Sequence, residues 1–377
     1  MITILAQYER ISLFHTMFPF FLKNREEKKI FCFTQSPELC LRHDKNKILL
    51  MERYFQHREP RDIEETELSL LKKLRDKYET ILFFCGQPEA GSNRLDILPY
   101  VDRLFYKSVF VSPDDYRKNL YGKNLFADYY YRNYKVKDDP EYIYSAEVTD
   151  HDTKRPELSW NIGVGTYPRW HLPQRVGTLV ARAGLPGLGK LFGGKPLSRA
   201  NCPGFISIKG PGDYSGNKRS IAVHARIDPV TCPSIAFQRR LFLKLIAELP
   251  YQKQKLFLTG MTGQKKYYTE LADSKIVLSP FGWGEVCFRD FEAILAGALL
   301  FKPDMSHLVT WPNVYIPNET YVPLKWDGSD LMEKTEQYLS DETKRSRIAA
   351  NAYEQYRMEL SGLSKRVDLL LGKYYLR

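Results

Sequence analysis

The chain has 377 residues, 43% of them hydrophobic and 14% aromatic, with 56 Lys and Arg against 45 Asp and Glu, a net charge of +11. This composition excludes general disorder and any fibrous repeat, and it supplies enough apolar side chains for two domains of ordinary size. The positive excess favours anionic company: nucleic acid, phosphorylated small molecules or an acidic membrane face.

Ile11–Leu22 is the longest apolar run near the start, and the charged run Lys23–Lys29 closes it. It is short of the roughly 20 apolar residues a span needs, and its positive charges follow instead of preceding it, so it reads as neither a span nor a signal peptide. The chain is therefore expected to be soluble or peripheral. Lys29–Phe33 is a short strand candidate. Between Glu64 and Tyr78 the residues Leu68, Leu70, Leu71 and Leu74 recur at helical spacing. The continuous apolar run Ile81–Cys85 stops at Gly86, the pattern of a buried parallel strand ending in a loop. Asp114–Tyr144 is tyrosine-rich and reads as mixed helix and loop. Residues 150–220 lose periodicity and collect Gly184, Gly187, Gly189, Gly193 and Gly194, as a linker or an active-site rim would.

From Ile221 onward strands and helices alternate. Ile221–Ala225, Lys255–Leu258, Ile276–Leu278 and Ala298–Phe301 read as strands, and Phe237–Leu249, Lys265–Ala272 and Arg289–Ala296 as helices between them. Helices then follow at Leu331–Tyr338, Glu342–Tyr356 and Lys365–Tyr375. Such alternation gives parallel βαβ units, so the fold class is α/β, with two facing Rossmann-like domains and a ligand cleft outside the carboxyl ends of the strands. The six cysteines (Cys32, Cys40, Cys85, Cys202, Cys232, Cys287) are scattered without a C-x-x-C pair, which predicts reduced thiols, no zinc site and a cytosolic setting.

The chemistry concentrates in Ser279–Gly297. A strand ends at Leu278, a turn containing Gly282 and Gly284 follows, and a helix begins near Cys287. Backbone amides of such a turn approach phosphates at a helix N-terminus. Arg289 in the first helical turn opposes the macrodipole, which suggests an anionic partner such as a diphosphate gripped by the guanidinium fork. Glu292 lies three residues on, on the same face, where a carboxylate suits ribose hydroxyls. The competing reading is a surface salt bridge among Arg289, Glu292 and Glu285.

The run Arg289-Asp-Phe-Glu292-Ala-Ile-Leu-Ala-Gly297, with Ser279-Pro280 before it, resembles the donor-binding segment of GT-B glycosyltransferases. It is most similar to the group 1 type with an R-x-F-E-A-x-x-x-G pattern, and more loosely to exostosin-like transferases. The likeness spans about residues 220–325. It implies that Arg289 faces the donor diphosphate and Glu292 the nucleotide ribose. It departs from the retaining E-x7-E pattern, because Gly284 stands eight before Glu292 and Glu285 is one place off, which leaves the stereochemical course open. Around Leu98–Asp102 and Tyr121–Tyr134 the first half resembles transferases of bacterial surface-polysaccharide clusters.

On this reading residues 1–200 form the acceptor-side domain, with the irregular region 150–220 beside it. Residues 201–360 form the nucleotide-sugar domain, and 361–377 a C-terminal helix able to cross back. Further donor-site candidates are Arg226 after the strand Ile221–Ala225, Thr259 and Lys265 around the next strand's turn, and Gly282, Gly284 and Glu285 in the glycine turn. Candidates for the base that takes the acceptor proton are Glu89, with Asp96 and Asp102 in reserve. The expected substrates are a nucleotide-sugar and a glycan or lipid-linked acceptor, with no metal, no cofactor and no nucleic acid. The setting is cytoplasmic, with peripheral contact at an anionic inner membrane face through the basic, Leu-rich stretch Arg175–Lys195. The rival enzyme reading is a metal-dependent GT-A transferase built on Asp150-His151-Asp152. A non-catalytic glycan- or nucleic-acid-binding protein is the rival from another class. Gly184–Lys190 has Walker A spacing but lacks the following Ser or Thr, since Leu191 stands there.

Overall fold

The computed structural model describes residues 2–27, 30–42, 48–52, 60–86, 95–122, 125–137, 143–144, 156–183, 219–228 and 233–375. The first half begins with β1 (Ile2–Ala6), α1 (Phe18–Glu26), β2 (Phe31–Thr34), α2 (Pro37–Arg42) and β3 (Ile48–Glu52). It continues through α3 (Pro60–Arg75), β4 (Thr80–Cys85) and β5 (Arg103–Tyr106). Then β6 (Ser108–Phe110) leaves the sheet, β7 (Leu120–Tyr121) pairs antiparallel with β8 (Ile143–Tyr144), and β9 (Glu157–Leu158) returns beside β5. The resulting parallel sheet has the order β2-β1-β3-β4-β5-β9. Two helices lie along this stretch, α4 (Leu125–Tyr134) and α5 (His171–Ala183).

The second half repeats the plan. It runs β10 (Ile221–His224), α6 (Pro233–Ala247), β11 (Phe257–Leu258), α7 (Gln264–Ala272), β12 (Ser274–Leu278), α8 (Phe288–Leu295), β13 (Leu299–Pro303), β14 (Leu308–Thr310) and β15 (Val322–Leu324). Its parallel sheet has the order β11-β10-β12-β13-β15. In both sheets the second strand lies outside the first and the third lies on its other side, so each has a topological switch point beside its first strand. Three helices close the chain: α9 (Leu331–Ser340), α10 (Glu342–Ser361) and α11 (Leu363–Leu371).

The apolar run Ile11–Leu22 becomes a wide π-helical turn at Ser12–Thr16 followed by α1, with most of its side chains buried between the first sheet and α11. Within that core Trp160 packs edge-on to Phe20 and donates its indole N–H to Thr16 O at 2.9 Å. No helix among the described residues is long and apolar enough to cross a membrane. The described cysteines, Cys32, Cys40, Cys85 and Cys287, are free thiols.

The halves are tied together at several places among the described residues. β6 pairs antiparallel with β14, Ser108 opposite Thr310. The C-terminal α11 packs on α1, where Lys23 Nζ meets Asp368 at 2.9 Å. The tyrosine-rich α4 sits against the second half, with Phe126 and Tyr130 in that half's core. Tyr130 Oη donates to Trp326 O at 2.6 Å and accepts from Gln238 Nε2 at 2.9 Å. A cut at residue 200 therefore separates sequence but not packing, since 125–134 and 363–371 each cross to the opposite half.

Candidate active site

The glycine turn is braced from beneath. Ser279 N–H donates to Phe301 O at 2.8 Å and Gly282 N–H to Gly284 O at 2.9 Å. A Cβ on Gly282 would lie 3.1 Å from Arg239 Nη2 and 3.3 Å from Cys287 Sγ, so the absence of a side chain keeps the turn close to Arg239. Cys287 is the N-cap of α8, and its N–H donates to the Asp290 carboxylate at 2.8 Å. Asp290 is fully buried and also accepts from Ser279 Oγ at 2.6 Å and Tyr315 Oη at 2.7 Å, with Lys302 Nζ at 2.9 Å. A buried charge pair this well hydrogen-bonded fixes the helix start, and losing one partner would strand the other in the core.

On that fixed helix Arg289 Nη2 donates to Arg226 O at 2.6 Å, while Arg289 Nε is buried without a hydrogen-bond partner among the described residues. Glu292 is 8% exposed and accepts Tyr267 Oη on one oxygen and Tyr268 Oη on the other, both at 2.9 Å. Burial, and then the Glu292 charge, raise both phenols above their usual range, so the tyrosines act as donors to the carboxylate. No ion pair joins Glu292 to Arg289 among the described residues, which removes the surface salt bridge as an account of the pair. Neither side chain is turned out into bulk water.

The remaining donor-site candidates divide. Arg226 grips Glu270 with Nε at 2.9 Å and Nη2 at 2.7 Å, and its Nη1 donates to Thr259 O. Its fork, expected on a phosphate, is already occupied, and what it presents to Arg289 is its carbonyl. The guanidinium in turn holds Glu270 below the usual carboxylate range. Thr259 contributes its carbonyl to this bracket before Gly260 turns the chain at φ +86°. Lys265 is exposed on the first turn of α7. Glu285 is fully buried, with Oε1 3.8 Å from His307 Nε2. Trp326 is a packing residue against Phe281 and Tyr129, whereas Trp283 stands exposed.

The base candidates fare differently. Asp102 accepts from Arg75 Nη1 at 2.6 Å and from Ile81 N–H at 2.7 Å. It precedes β5 and so sits at the amino edge of the sheet, opposite the carboxyl ends, which corrects its placement in the cleft. Glu89, Asp150, Asp152 and Gly184–Lys190 lie outside the described residues, and of Asp96 only the backbone is described, in a 3-10 turn spanning 95–100. A carboxylate that sequence reasoning missed is Glu52 at the carboxyl end of β3, buried and accepting from Thr16 Oγ1 at 2.7 Å.

The two halves meet at α8. The fully buried His15, from the turn after β1, lies 4.8 Å from the Phe288 ring, and its Nδ1–H donates to Val164 O at 2.9 Å. Arg169 stacks its guanidinium on the same ring, 3.2 Å from the Phe288 ring centroid. The residue next to Phe288 is Arg289. The donor-site candidates thus border an interdomain contact, at the carboxyl ends of both sheets.

Two parallel sheets of matching strand order, with a glycine turn and a helix N-terminus at the carboxyl ends of the second, form the α/β arrangement of a GT-B-like fold. Residues 237–371 match the family model described as glycosyl transferase-like. No curated protein matches the chain at the sequence level. Among solved structures, it is similar to Anabaena Alr3699/HepE in complex with UDP-glucose, with 9% identity over 99% of both chains and a TM-score of 0.44. It is similar also to an alpha-glucosyltransferase in complex with UDP, with 10% identity, 98% of both chains and a TM-score of 0.40. An alpha,alpha-trehalose-phosphate synthase (UDP-forming) from Burkholderia xenovorans shares 12% identity over 97% of this chain and 83% of its own, with a TM-score of 0.40.

Proposed function

We propose that the chain is a metal-independent GT-B transferase that moves a sugar from a nucleoside-diphosphate donor, held by the second half, to a glycan or lipid-linked glycan on the first. The observation that carries this reading is Arg289 in the first turn of α8, its Nε buried without a partner, one turn from the Glu292 carboxylate. In the reaction the acceptor oxygen bonds to the anomeric carbon and the bond from that carbon to the donor phosphate oxygen breaks. The electron pair leaves with the nucleoside diphosphate, and the acceptor proton passes to a base. Arg289 and the amides at the start of α8 stabilise the charge that grows on the leaving diphosphate, the task a divalent ion performs elsewhere. Glu292, oriented by two tyrosines, receives ribose hydroxyls. Glu52, Glu89 and Asp96 are the carboxylates we assign as candidates for the base. The setting we favour is the cytoplasmic assembly of a surface polysaccharide, with peripheral contact at the membrane through α5. Supporting that contact, Leu172, Val176 and Leu179 are exposed on α5 beside Arg175.

A thermal-shift screen of nucleoside diphosphates tests the donor site. At least one should raise the melting temperature of the wild-type protein and leave Arg289→Ala unmoved, and transfer of a labelled sugar should persist in EDTA. If no nucleoside diphosphate stabilises the protein, the donor reading falls; activity abolished by EDTA removes metal independence.

A further inference from the structure

The first half carries positive charge at its cleft edge that no described carboxylate neutralises. Arg10 follows β1, the strand beside the switch point, while Arg169 and Arg175 flank the start of α5. These segments are fastened together, because Arg182 Nε on α5 donates to Tyr8 O at 2.7 Å and its Nη2 lies 3.6 Å from the Glu9 carboxylate. Arg169 is fixed on the donor side as well. Its N–H donates to Tyr268 Oη at 2.9 Å, its carbonyl accepts from Gln264 Nε2 at 2.7 Å, and its guanidinium lies on Phe288. Tyr268 is the same residue that donates to Glu292.

Arg169 Nε is buried and has no hydrogen-bond partner among the described residues. Among the described residues no carboxylate pairs with Arg10, Arg169 or Arg175, and the neighbouring Glu9 is taken by Arg182. The charges work against one another: burial, and then Arg169 and Arg175, lower the Arg10 guanidinium from its ordinary value. Burial and the same three arginines lower His171. The first turn of α5 holds no acidic residue, so the helix macrodipole adds to the positive field. Like charges gathered at a partly buried site are unfavourable until an anion joins them.

We infer that Arg10, Arg169 and Arg175 form a phosphate subsite, separate from the donor's Arg289, that takes a phosphate or diphosphate group borne by the acceptor. The inference deepens the transferase reading and rests on it for the word acceptor. The same chemistry is presented by a soluble sugar phosphate and by the phosphate of a lipid-linked acceptor. The exposed Leu172, Val176 and Leu179 on α5 stand next to Arg175 on the chain and suit an attached apolar tail.

The experiment uses the full chain, saturated with the nucleoside diphosphate found in the screen, at fixed ionic strength, with inorganic pyrophosphate titrated in. Wild-type protein should gain further thermal stability, and the double variant R10Q/R175Q should need about 10-fold more pyrophosphate, as expected for lost charge-assisted hydrogen bonds. Its affinity for the nucleotide should stay within about two-fold, since no such bonds to the donor are removed. Absence of added stabilisation in the nucleotide-saturated wild type overturns the proposal. So does a double variant that loses nucleotide affinity, because Arg10 and Arg175 would then belong to the donor. The same titration without nucleotide keeps the subsite testable if the donor reading fails. Two further arms locate the source. Competition of a soluble hexose phosphate with pyrophosphate supports a soluble acceptor. Retention on equimolar phosphatidylglycerol and phosphatidylcholine vesicles, lost in the double variant, supports a lipid-borne one. Failure of both arms counts against the subsite.

Discussion

Arg226 and Arg10 stand at corresponding places in the two halves, each just beyond the first strand of a sheet with the same strand order, yet their surroundings are opposite. Arg226 is locked on Glu270 by both arms of its fork, whereas Arg10 has Arg169 and Arg175 for company and no carboxylate among the described residues. The pattern extends outward. In the second half Lys302 is closed on Asp290, whereas Arg289 keeps a buried Nε without a hydrogen-bond partner among the described residues. Arg226 and Lys302, with internal carboxylates, build the shape of the site, and Arg289 and Arg10 are the cations we propose for anions from outside. This division is what the following variants would break or sharpen.

The largest effect is expected from Asp290→Ala, which strands Lys302 in the core and releases Ser279, Cys287 and Tyr315. A loss of about 3–5 kcal/mol in urea unfolding is predicted, with much of it recovered when Lys302→Met is added. A loss near zero would mean that the glycine turn does not depend on the pair.

Acid should expose the buried histidines next. His224 is lowered from 6.5 to about 4 by burial first and by Arg289 second, and His15 is lowered well below its usual value by burial and Arg169. Between these values the unfolded chain binds more protons than the folded one. Stability is therefore full above the unfolded value and is lost as pH falls, by roughly 3 kcal/mol for His224 once the folded value is reached. Unfolding curves of His224→Leu should show a shallower loss over that window; an unchanged slope would contradict the assignment.

Tyr268→Phe removes the hydroxyl shared by Glu292 and Arg169. A cost of about 1–2 kcal/mol is expected, with a few-fold weaker donor binding because Tyr267 still holds Glu292. Equal donor affinity in a destabilised variant would separate the two halves of the cleft energetically. The smallest effect is assigned to Lys265→Ala, an exposed side chain, where stability should change by less than about 0.5 kcal/mol. A large fall in donor affinity there would place Lys265 on the diphosphate after all.

The second half was legible in the sequence because its strands are short apolar runs stopped by Ser-Pro or Thr-Gly turns, and the helix after each carries the 3.6-residue period. Even so, Arg289–Ala296 begins one residue earlier, at Phe288, and the strand ending at Phe301 continues to Pro303. The first half was harder. β1 abuts the apolar run 11–22 and β3 follows a charged stretch, so neither stands out by composition. In the site, the sequence pointed to Arg289 and Glu292, since a cation in a first helical turn breaks a local preference. Asp290 was overlooked although it occupies the third helical position after Cys287, where a capping carboxylate belongs. Nothing in the sequence distinguishes Arg226 from Arg10, because the carboxylate that closes on Arg226 comes from a helix more than forty residues away. Asp102 shows the reverse error, an acidic residue near a strand end that proved to be the amino end.

The central claim is that the Arg289 guanidinium grips the donor diphosphate from the start of α8. Calorimetric titration of the stabilising nucleoside diphosphate into wild type and Arg289→Ala tests it most directly. The account predicts affinity about 10- to 100-fold weaker in the variant with the fold intact, the loss of one or two charge-assisted hydrogen bonds. Equal affinity in the two folded proteins would contradict it.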